Sequence, residues 1–135
     1  MVKPLKNSEI TQIIIGAFFD CYNQLGIGFL ESVYEGGLEL ILSDVGLDVR
    51  RQGKITVWFR GRVIGHFRAD LVVNNTVLVE IKRAKRIHSR HTAQLINALK
   101  ATTIEIGLLL NFGPKPEFKR VLLTNESKRS FSAHH

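Results

Sequence analysis

The sequence lacks the features that define several common protein classes. Its one cysteine, Cys21, excludes an internal disulfide and a zinc site built from several cysteines. No apolar run approaches the length of a membrane-spanning helix, and the N-terminal segment MVKPLKNSEI lacks the apolar core of a signal peptide. Internal repeats and low-complexity linkers are also absent. These absences favour a cytoplasmic protein that has no membrane partner.

The length and charge of the chain further limit the classes of protein to which it can belong. Its 135 residues suit one domain, residues 1–135, with a frayed polar tail from about residue 126. A formal charge of +7 permits binding to a polyanion such as nucleic acid. Much of this charge lies in KRAKRIHSRH, residues 82–91. That run fits a solvated helix entry and a phosphate-contacting patch equally well.

Hydrophobic spacing predicts two helices in the first third of the chain. The first runs from about Asn7 to Leu25, with Asn7 or Ser8 as its cap. GIG then breaks the helix, and it lacks the Gly-Lys-Ser/Thr ending of a phosphate-binding loop. The second helix runs from about Leu30 to Val45 and contains two adjacent glycines. These glycines lower helix propensity and suggest that another element packs closely there.

The pattern then changes to that of strands. Alternation from Lys54 to Val73 predicts strands with a turn at Gly61, and TVLVEIK predicts a further strand. A helix from about Ser89 to Thr102, a strand buried on both faces in IGLLLNFG and an edge strand in FKRVLLTN follow. The predicted order is α-α-β-β-β-β-α-β-β. This is an α/β fold with a central mixed β-sheet flanked by helices.

Three charged residues interrupt the apolar hairpin RADLVVNNTVLVEIK. Glu80 and Lys82 are two apart in one strand and share a face, while Asp70 lies on the neighbouring strand. Two carboxylates and a lysine that converge on one face can hold Mg²⁺ or Mn²⁺ and promote metal-assisted phosphodiester hydrolysis. A surface hairpin with a cross-strand ion pair explains the same residues, and the short motif alone favours it.

The hairpin turn tests the active-site interpretation. A two-residue turn would put Asp70 opposite Val79 and on the sheet face away from Glu80. The active site therefore requires a three-residue loop, Asn74–Thr76, or a bulge near Asp70.

Further blocks resemble one protein family. Gly28, Glu31 and Tyr34 in GFLESVY precede RADLVV, VEIK, HTAQLINALK and GLLLNFG in that order. From about Ile10 to Leu123 the chain thus resembles the GxxExxY family of the PD-(D/E)XK nuclease superfamily. The resemblance implies a restriction-endonuclease-like fold, α-α-β-meander-α-β-β. It also implies a metal-dependent nuclease that hydrolyses phosphodiester bonds in nucleic acid, with DNA as the expected substrate.

The resemblance also implies roles for individual residues. Asp70 and Glu80, with the carbonyl of Ile81, would bind Mg²⁺ or Mn²⁺. Glu31 would assist at the metal, directly or through water, and Lys82 would be the catalytic lysine.

The helix after the Glu-x-Lys strand carries a further implied role and a departure. Gln94 would position the lysine or the substrate. Relatives commonly carry a tyrosine four residues later, where this chain has Ala98. That departure puts substrate handling in doubt more than metal binding. The nucleic-acid backbone would contact the basic run through Arg83, Lys85, Arg86 and Arg90.

Other residues have more ordinary interpretations. Tyr34 is expected to pack in the core, with its hydroxyl hydrogen-bonded, for instance to a site carboxylate. His88 and His91 could ligate a metal, but without a third ligand at suggestive spacing they are expected at the surface. Trp58 and Phe67 could stack on bases, although strand spacing favours core packing or a subunit contact.

Three alternatives to a nuclease of this kind stay open. The first is a catalytically silent module that binds nucleic acid. The second is a protein-interaction module that keeps the fold without the chemistry. The third, a narrower enzymatic alternative, is a Holliday-junction-resolvase-like endonuclease, which would act as a homodimer.

Overall fold

The computed structural model of the protein describes residues 6–128. Within this range the chain forms, in order, α1 (Asn7–Leu25), α2 (Glu31–Asp44), β1 (Val49–Phe59), β2 (Arg62–Val73), β3 (Val77–Lys82), α3 (Ser89–Lys100), β4 (Ile106–Phe112) and β5 (Pro116–Leu122).

The five strands form one mixed sheet in the spatial order β1-β2-β3-β4-β5. Neighbouring strands are antiparallel except β3 and β4, which are parallel and connected through α3. The central mixed sheet is therefore confirmed. The prediction of four strands before α3 is wrong, because β2 runs without a break from Arg62 to Val73 and Gly65 does not interrupt it. Gly65 lies inside β2 and pairs with Val57 of β1.

The two faces of the sheet are covered by different helices. α1 and α2 pack on one face, where the buried core includes Leu71, Val79 and Leu110. α3 packs on the other face, where Leu78 and Leu109 lie in a second buried cluster. Every residue of β4 is buried, as the sequence predicted for a strand covered on both faces.

Close approaches between elements explain two glycines. A Cβ added at Gly37 in α2 would lie 2.9 Å from the Cys21 sulfur of α1, so the predicted close packing at the glycine pair is confirmed. A Cβ at Gly107 in β4 would lie 2.7 Å from the Leu95 side chain of α3. Both helices therefore approach their neighbours at positions that leave no room for a side chain.

The helix ends agree with the sequence to within two residues, apart from one cap. Lys6 caps α1, and its N–H donates to the Glu9 carboxylate at 3.1 Å. The prediction of Asn7 or Ser8 as the cap is wrong, because both residues are already helical. Within residues 6–128, no helix combines the length and apolar character needed to cross a membrane.

The predicted frayed tail falls largely outside the described residues. Residues 125–128 form a helical turn, and the Lys128 ammonium donates to the carbonyls of Thr102 (2.8 Å) and Ile104 (2.7 Å). The start of the predicted tail is thus fastened to the loop after α3.

Candidate active site

The hairpin turn that the active site requires is present. β2 and β3 pair with Val73 opposite Val77, which leaves Asn74–Thr76 as a three-residue connection. Asn74 and Asn75 adopt left-handed backbone conformations, with φ of 52° and 50°, and the Thr76 N–H donates to the Val73 carbonyl at 2.9 Å. Thr76 is the extra residue that shifts the register by one. The predicted NNT loop is confirmed.

This register directs Asp70 and Glu80 toward each other. The backbone pairing of β2 with β3 ends where Leu71 lies opposite Val79. At the next position of the same register, Asp70 lies opposite Glu80. There the Ile81 N–H donates to the Asp70 carboxylate at 2.7 Å. The Asp70 side chain thus accepts from a backbone N–H that lies beyond the last backbone pair of β2 and β3. That bond fixes the position of the Asp70 carboxylate.

The two carboxyl groups interact strongly. Burial raises the pKa of Glu80 to about 8, and the negative charge of Asp70 and a hydrogen bond between the two side chains add to this effect. The positive charge of Lys82 acts in the opposite direction. Close, partly buried carboxylates of this kind hold a proton between them unless a cation replaces it. The donor set therefore fits a divalent cation that keeps several waters.

A second set of hydrogen bonds, which the sequence did not indicate, connects Asp70 to β1 and α2. The Gln52 side-chain amide donates to Glu35 at 2.9 Å and to Asp70 at 3.4 Å. Gln52 has a φ of 53°, which is uncommon for a non-glycine strand residue. Glu35 is 6% exposed and also lies 3.7 Å from the Arg51 guanidinium. The backbone distortion in β1 thus aims an amide at the site.

Glu31 lies at the start of α2, within electrostatic reach of the pair. Burial raises the pKa of Glu31, the charge of Asp70 adds to the rise, and Lys82 and Arg83 oppose it. Among residues 6–128, no three His, Cys, Asp or Glu side chains come together as a metal-binding group. The structure thus brings Asp70 and Glu80 together and leaves Glu31 as a neighbour of the pair.

The loop before α2 is held by Tyr34. Its hydroxyl donates to the Gly26 carbonyl at 2.6 Å and accepts from the Phe29 N–H at 3.3 Å, while its ring stacks on Phe112 at 4.0 Å. Core packing of Tyr34 is confirmed, but the suggested bond to a site carboxylate is wrong, because the loop carbonyl takes the hydroxyl. The predicted helix break at GIG is confirmed, because Gly26 ends α1 with a φ of 70° and Gly28 follows with a φ of 107°.

A cavity of about 310 Å³ opens beside the carboxylates, on the α3 side of the sheet. Glu80, Lys82 and Gln94 line it together. Ala98 forms part of the wall and is 4% exposed. The other lining residues are Phe67, Arg68, His91 and Asn97.

The two histidines before Gln94 differ in position. His88 is exposed, as predicted, but His91 is 8% exposed and lines the cavity, so the surface prediction is wrong for His91. The His91 Nδ1 accepts from the His88 N–H at 3.0 Å, which draws the ring against the first turn of α3. Burial, and then the charges of Lys82 and Arg90, lower the pKa of His91. This shift favours the neutral form of the imidazole.

The basic loop after β3 is anchored from β4. The Asn111 side chain accepts from the Ala84 N–H at 2.8 Å and donates to the Ala84 carbonyl at 2.9 Å. Asn111 is fully buried, and its place in the apolar run LLLNFG was the signal that could have identified this role. The loop and the start of α3 present four exposed cationic side chains, those of Arg83, Lys85, Arg86 and Arg90.

Trp58 and Phe67 line a second cavity, of about 510 Å³, that adjoins the first. Phe67 is half-buried and packs against the α3-side core, as predicted. Trp58 is 64% exposed, so core packing is wrong for this residue. The cause is a register shift between Val57 and Trp58, which breaks the alternation near the hairpin tip.

A family model identifies the superfamily of the chain, and comparisons with solved structures agree on the fold. Residues 8–121 match the family model of the PD-(D/E)XK nuclease superfamily. No curated protein matches significantly. The crystal structure of SSO0001 is similar with a TM-score of 0.56 and 19% identity, over 93% of this chain and 66% of that chain. An alkaline exonuclease (LHK-Exo) from Laribacter hongkongensis is similar with a TM-score of 0.50 and 14% identity, over 99% and 81%.

Proposed function

Because the chain belongs to the PD-(D/E)XK nuclease superfamily, we propose that it is a nuclease that requires Mg²⁺ or Mn²⁺ and cleaves phosphodiester bonds in DNA. One observation carries the proposal. Asp70 and Glu80 occupy opposed positions where the pairing of β2 and β3 ends, and Lys82 follows on the same face. This is the arrangement that a metal-assisted hydrolase needs.

Asp70 and Glu80 would hold the cation, with the Ile81 carbonyl as a further ligand and Glu31 acting through a bound water. A divalent cation at this position would activate water and stabilise the negative charge that develops on the phosphate. The two carboxylates alone satisfy the small number of protein ligands that Mg²⁺ commonly takes.

The chain's own residues would do the remaining work. The Lys82 ammonium, which the β3 backbone holds beside the carboxylates, would orient the attacking water or neutralise charge on the phosphate. Gln94 would position Lys82 or the substrate from the opposite wall of the cavity. The cations of the basic loop would contact the nucleic-acid backbone without regard to sequence.

A finer assignment within the superfamily is also proposed. Gly28, Glu31 and Tyr34 match the residues that define the GxxExxY family. Tyr34 and Gly28 shape the loop before α2, and this loop sets where Glu31 begins the helix. The spacing of the three residues therefore has a structural reason.

A cleavage screen tests the proposed function. Linear, nicked, branched and single-stranded DNA, together with matched RNA, would be incubated with the protein and Mg²⁺ or Mn²⁺, and the products resolved on denaturing gels. We expect cleavage of at least one substrate, and we expect EDTA to abolish it. Cleavage that persists in EDTA would contradict metal dependence. Binding of these substrates without any cleavage would favour a catalytically silent module instead.

The raised pKa of Glu80 predicts a pH-dependent metal affinity. In the metal-free protein, protonated Glu80 contributes stability that is complete below the unfolded-state value of 4.5 and is lost as pH rises through about 8. A cation that replaces this proton should gain affinity as the pH rises toward the pKa, by up to about tenfold per pH unit. Above the pKa, the affinity should not increase further. Titration calorimetry with Mg²⁺ between about pH 6 and about pH 9 measures this slope.

Glu80→Gln serves as the control for the pH prediction, because the amide resembles the carboxyl group in size but does not titrate. The variant should bind the metal weakly and with little pH dependence in this range. A wild-type affinity that does not change below about pH 8 would contradict the coupling of metal binding to Glu80.

A further inference from the structure

A groove runs from the carboxylates toward the tip of the β1–β2 hairpin. The cavity beside Glu80 and Lys82 shares two walls, Phe67 and Asn97, with the second cavity. Together they form a continuous depression along the α3 side of the sheet, called the stacking groove below. Its outer half is completed by Val57, Trp58, Lys100 and Ala101.

The outer end of the stacking groove carries a large exposed ring. Trp58 is the only tryptophan of the chain and is 64% exposed. The register shift after Val57 places Trp58 and Val57 on the wall of the same cavity. Phe67 lies deeper in the groove, between Trp58 and the carboxylates. Aromatic surface is thus available at two successive points along one path.

The charges along the groove favour a polyanionic occupant. Lys82 and Arg68 line the inner cavity and Lys100 lines the outer one, and among residues 6–128 Glu80 is the only acidic residue that lines either cavity. Arg68 is held in place by a bond of 3.1 Å from its guanidinium to the Gln52 carbonyl. Cations that alternate with aromatic side chains are the pattern by which proteins hold unpaired nucleic-acid strands.

We propose that the stacking groove binds an unpaired nucleic-acid strand, with a base stacked on Trp58 and the backbone directed past Arg68 toward Glu80. The proposal rests on the proposed nuclease function, because it names the substrate class of the same site. Bases inside a duplex are covered on both faces by their neighbours, so only an unpaired strand offers its bases to Trp58. The distance from Gln52, beside Asp70, to Trp58 along β1 is about 20 Å, enough for a few nucleotides.

The intrinsic fluorescence of Trp58 provides a direct test that does not depend on cleavage. The full chain would be titrated in EDTA with a single-stranded oligonucleotide, a blunt duplex of the same sequence and a wholly abasic strand of equal length. DNA and RNA versions of each oligonucleotide would show which of the two nucleic acids the groove binds. We expect quenching by the base-containing single strand and little by the duplex or the abasic strand. Equal quenching by the abasic strand, or no quenching, would overturn the proposal.

Substitutions give a second measurement, by anisotropy of a labelled single strand. Trp58→Ala should weaken binding by about 5- to 100-fold, as removal of one base-stacking ring does in other proteins. Trp58→Phe should restore most of the affinity. Leu40→Ala is the matched control, because Leu40 is also 64% exposed but lies on α2, and its affinity should equal that of the wild type. Unchanged affinity in Trp58→Ala would overturn the proposal.

Two further outcomes separate the hypotheses. If duplex DNA is cleaved but the single strand does not quench Trp58, the groove proposal fails and the nuclease function stands. If the single strand quenches Trp58 but nothing is cleaved, the groove proposal stands and the nuclease function fails. A concentration-dependent dimer that Trp58→Ala abolishes, without any quenching, would show that the groove edge binds a second copy of the chain and would overturn the proposal.

Discussion

Replacing Lys82 with alanine is expected to lower the rate of metal-dependent cleavage by about 10²–10³-fold, the usual cost of removing one preorganised charge from a reacting centre. Lys82 is half-buried beside Glu80 and lines the inner cavity, so its ammonium is positioned where the scissile phosphate would lie. Within residues 6–128 its side chain makes no hydrogen bond to the backbone, so the melting temperature should change little. Single-turnover kinetics at saturating substrate would measure the loss in the chemical step.

The control for this variant must separate the effect of Lys82 on the chemical step from its effect on metal binding, because Lys82 also lowers the pKa of Glu80. Without the ammonium, that pKa rises further and metal binding at neutral pH weakens. The assay should therefore be repeated near pH 9, where more of Glu80 is ionised and the cation binds more tightly. A defect that persists there assigns Lys82 to the chemical step. Full recovery near pH 9 would contradict the catalytic role.

Lys85→Ala is the matched variant for the loss of one positive charge. Lys85 is exposed in the loop that follows, and it does not line the inner cavity. Its removal should raise KM, increasingly at low salt, and leave kcat close to that of the wild type. Equal effects of the two lysine substitutions on kcat would argue against a specific role for Lys82.

The sequence predicted the parts of this site that depend on local periodicity. The period of two placed Glu80 and Lys82 on one face. A register argument then required either a bulge near Asp70 or the three-residue turn that the structure has. Helical spacing placed Gln94 on α3, where it reaches the inner cavity. These features depend on spacing within one element or across one short loop, which is what a sequence pattern reports.

The parts that the sequence did not predict depend on contacts between distant elements. Gln52 lies before the first predicted strand, and its role follows from a distorted backbone and from Glu35, 17 residues earlier in α2. Strand spacing favoured core packing or a subunit contact for Trp58, but the register shift beside it is a property of the paired strands. His91 was expected at the surface, and only the packing of α3 on the sheet buries it. None of these contacts leaves a periodic signal in the chain.

The site is also built at some cost to stability, which the surrounding packing must offset. Burial and the negative charge of Asp70 disfavour the ionised form of Glu80, and the proton that Glu80 keeps below about pH 8 relieves this repulsion. The loop that follows Lys82 is held by Asn111 in the fully buried strand β4 and by a bond of 3.1 Å from the Ile87 N–H to the Glu117 carboxylate. A fully buried strand thus helps to fix the basic loop beside the site.

This anchor leads to the second large effect, expected in Gly113→Ala. A Cβ at position 113 would lie 2.2 Å from the Ala84 carbonyl oxygen and 3.0 Å from the Asn111 amide, the two groups that bond to each other. The first is a backbone atom, so the clash can be relieved only if the loop moves away from β4. We expect the free energy of unfolding to fall by about 1–3 kcal/mol, the usual cost of overpacking. KM should rise as the basic loop is displaced.

Gly16→Ala is the control that isolates the steric cause. Gly16 lies within α1, and a Cβ there meets no atom within 4 Å, so alanine should raise stability by up to about 1 kcal/mol through helix propensity alone. Urea unfolding of both variants, with cleavage kinetics under identical conditions, compares the two glycines directly. A Gly113→Ala protein with wild-type stability and KM would show that the loop does not need the close approach to β4. Loss of stability with an unchanged KM would show instead that the anchor serves the fold and not the placement of the basic loop.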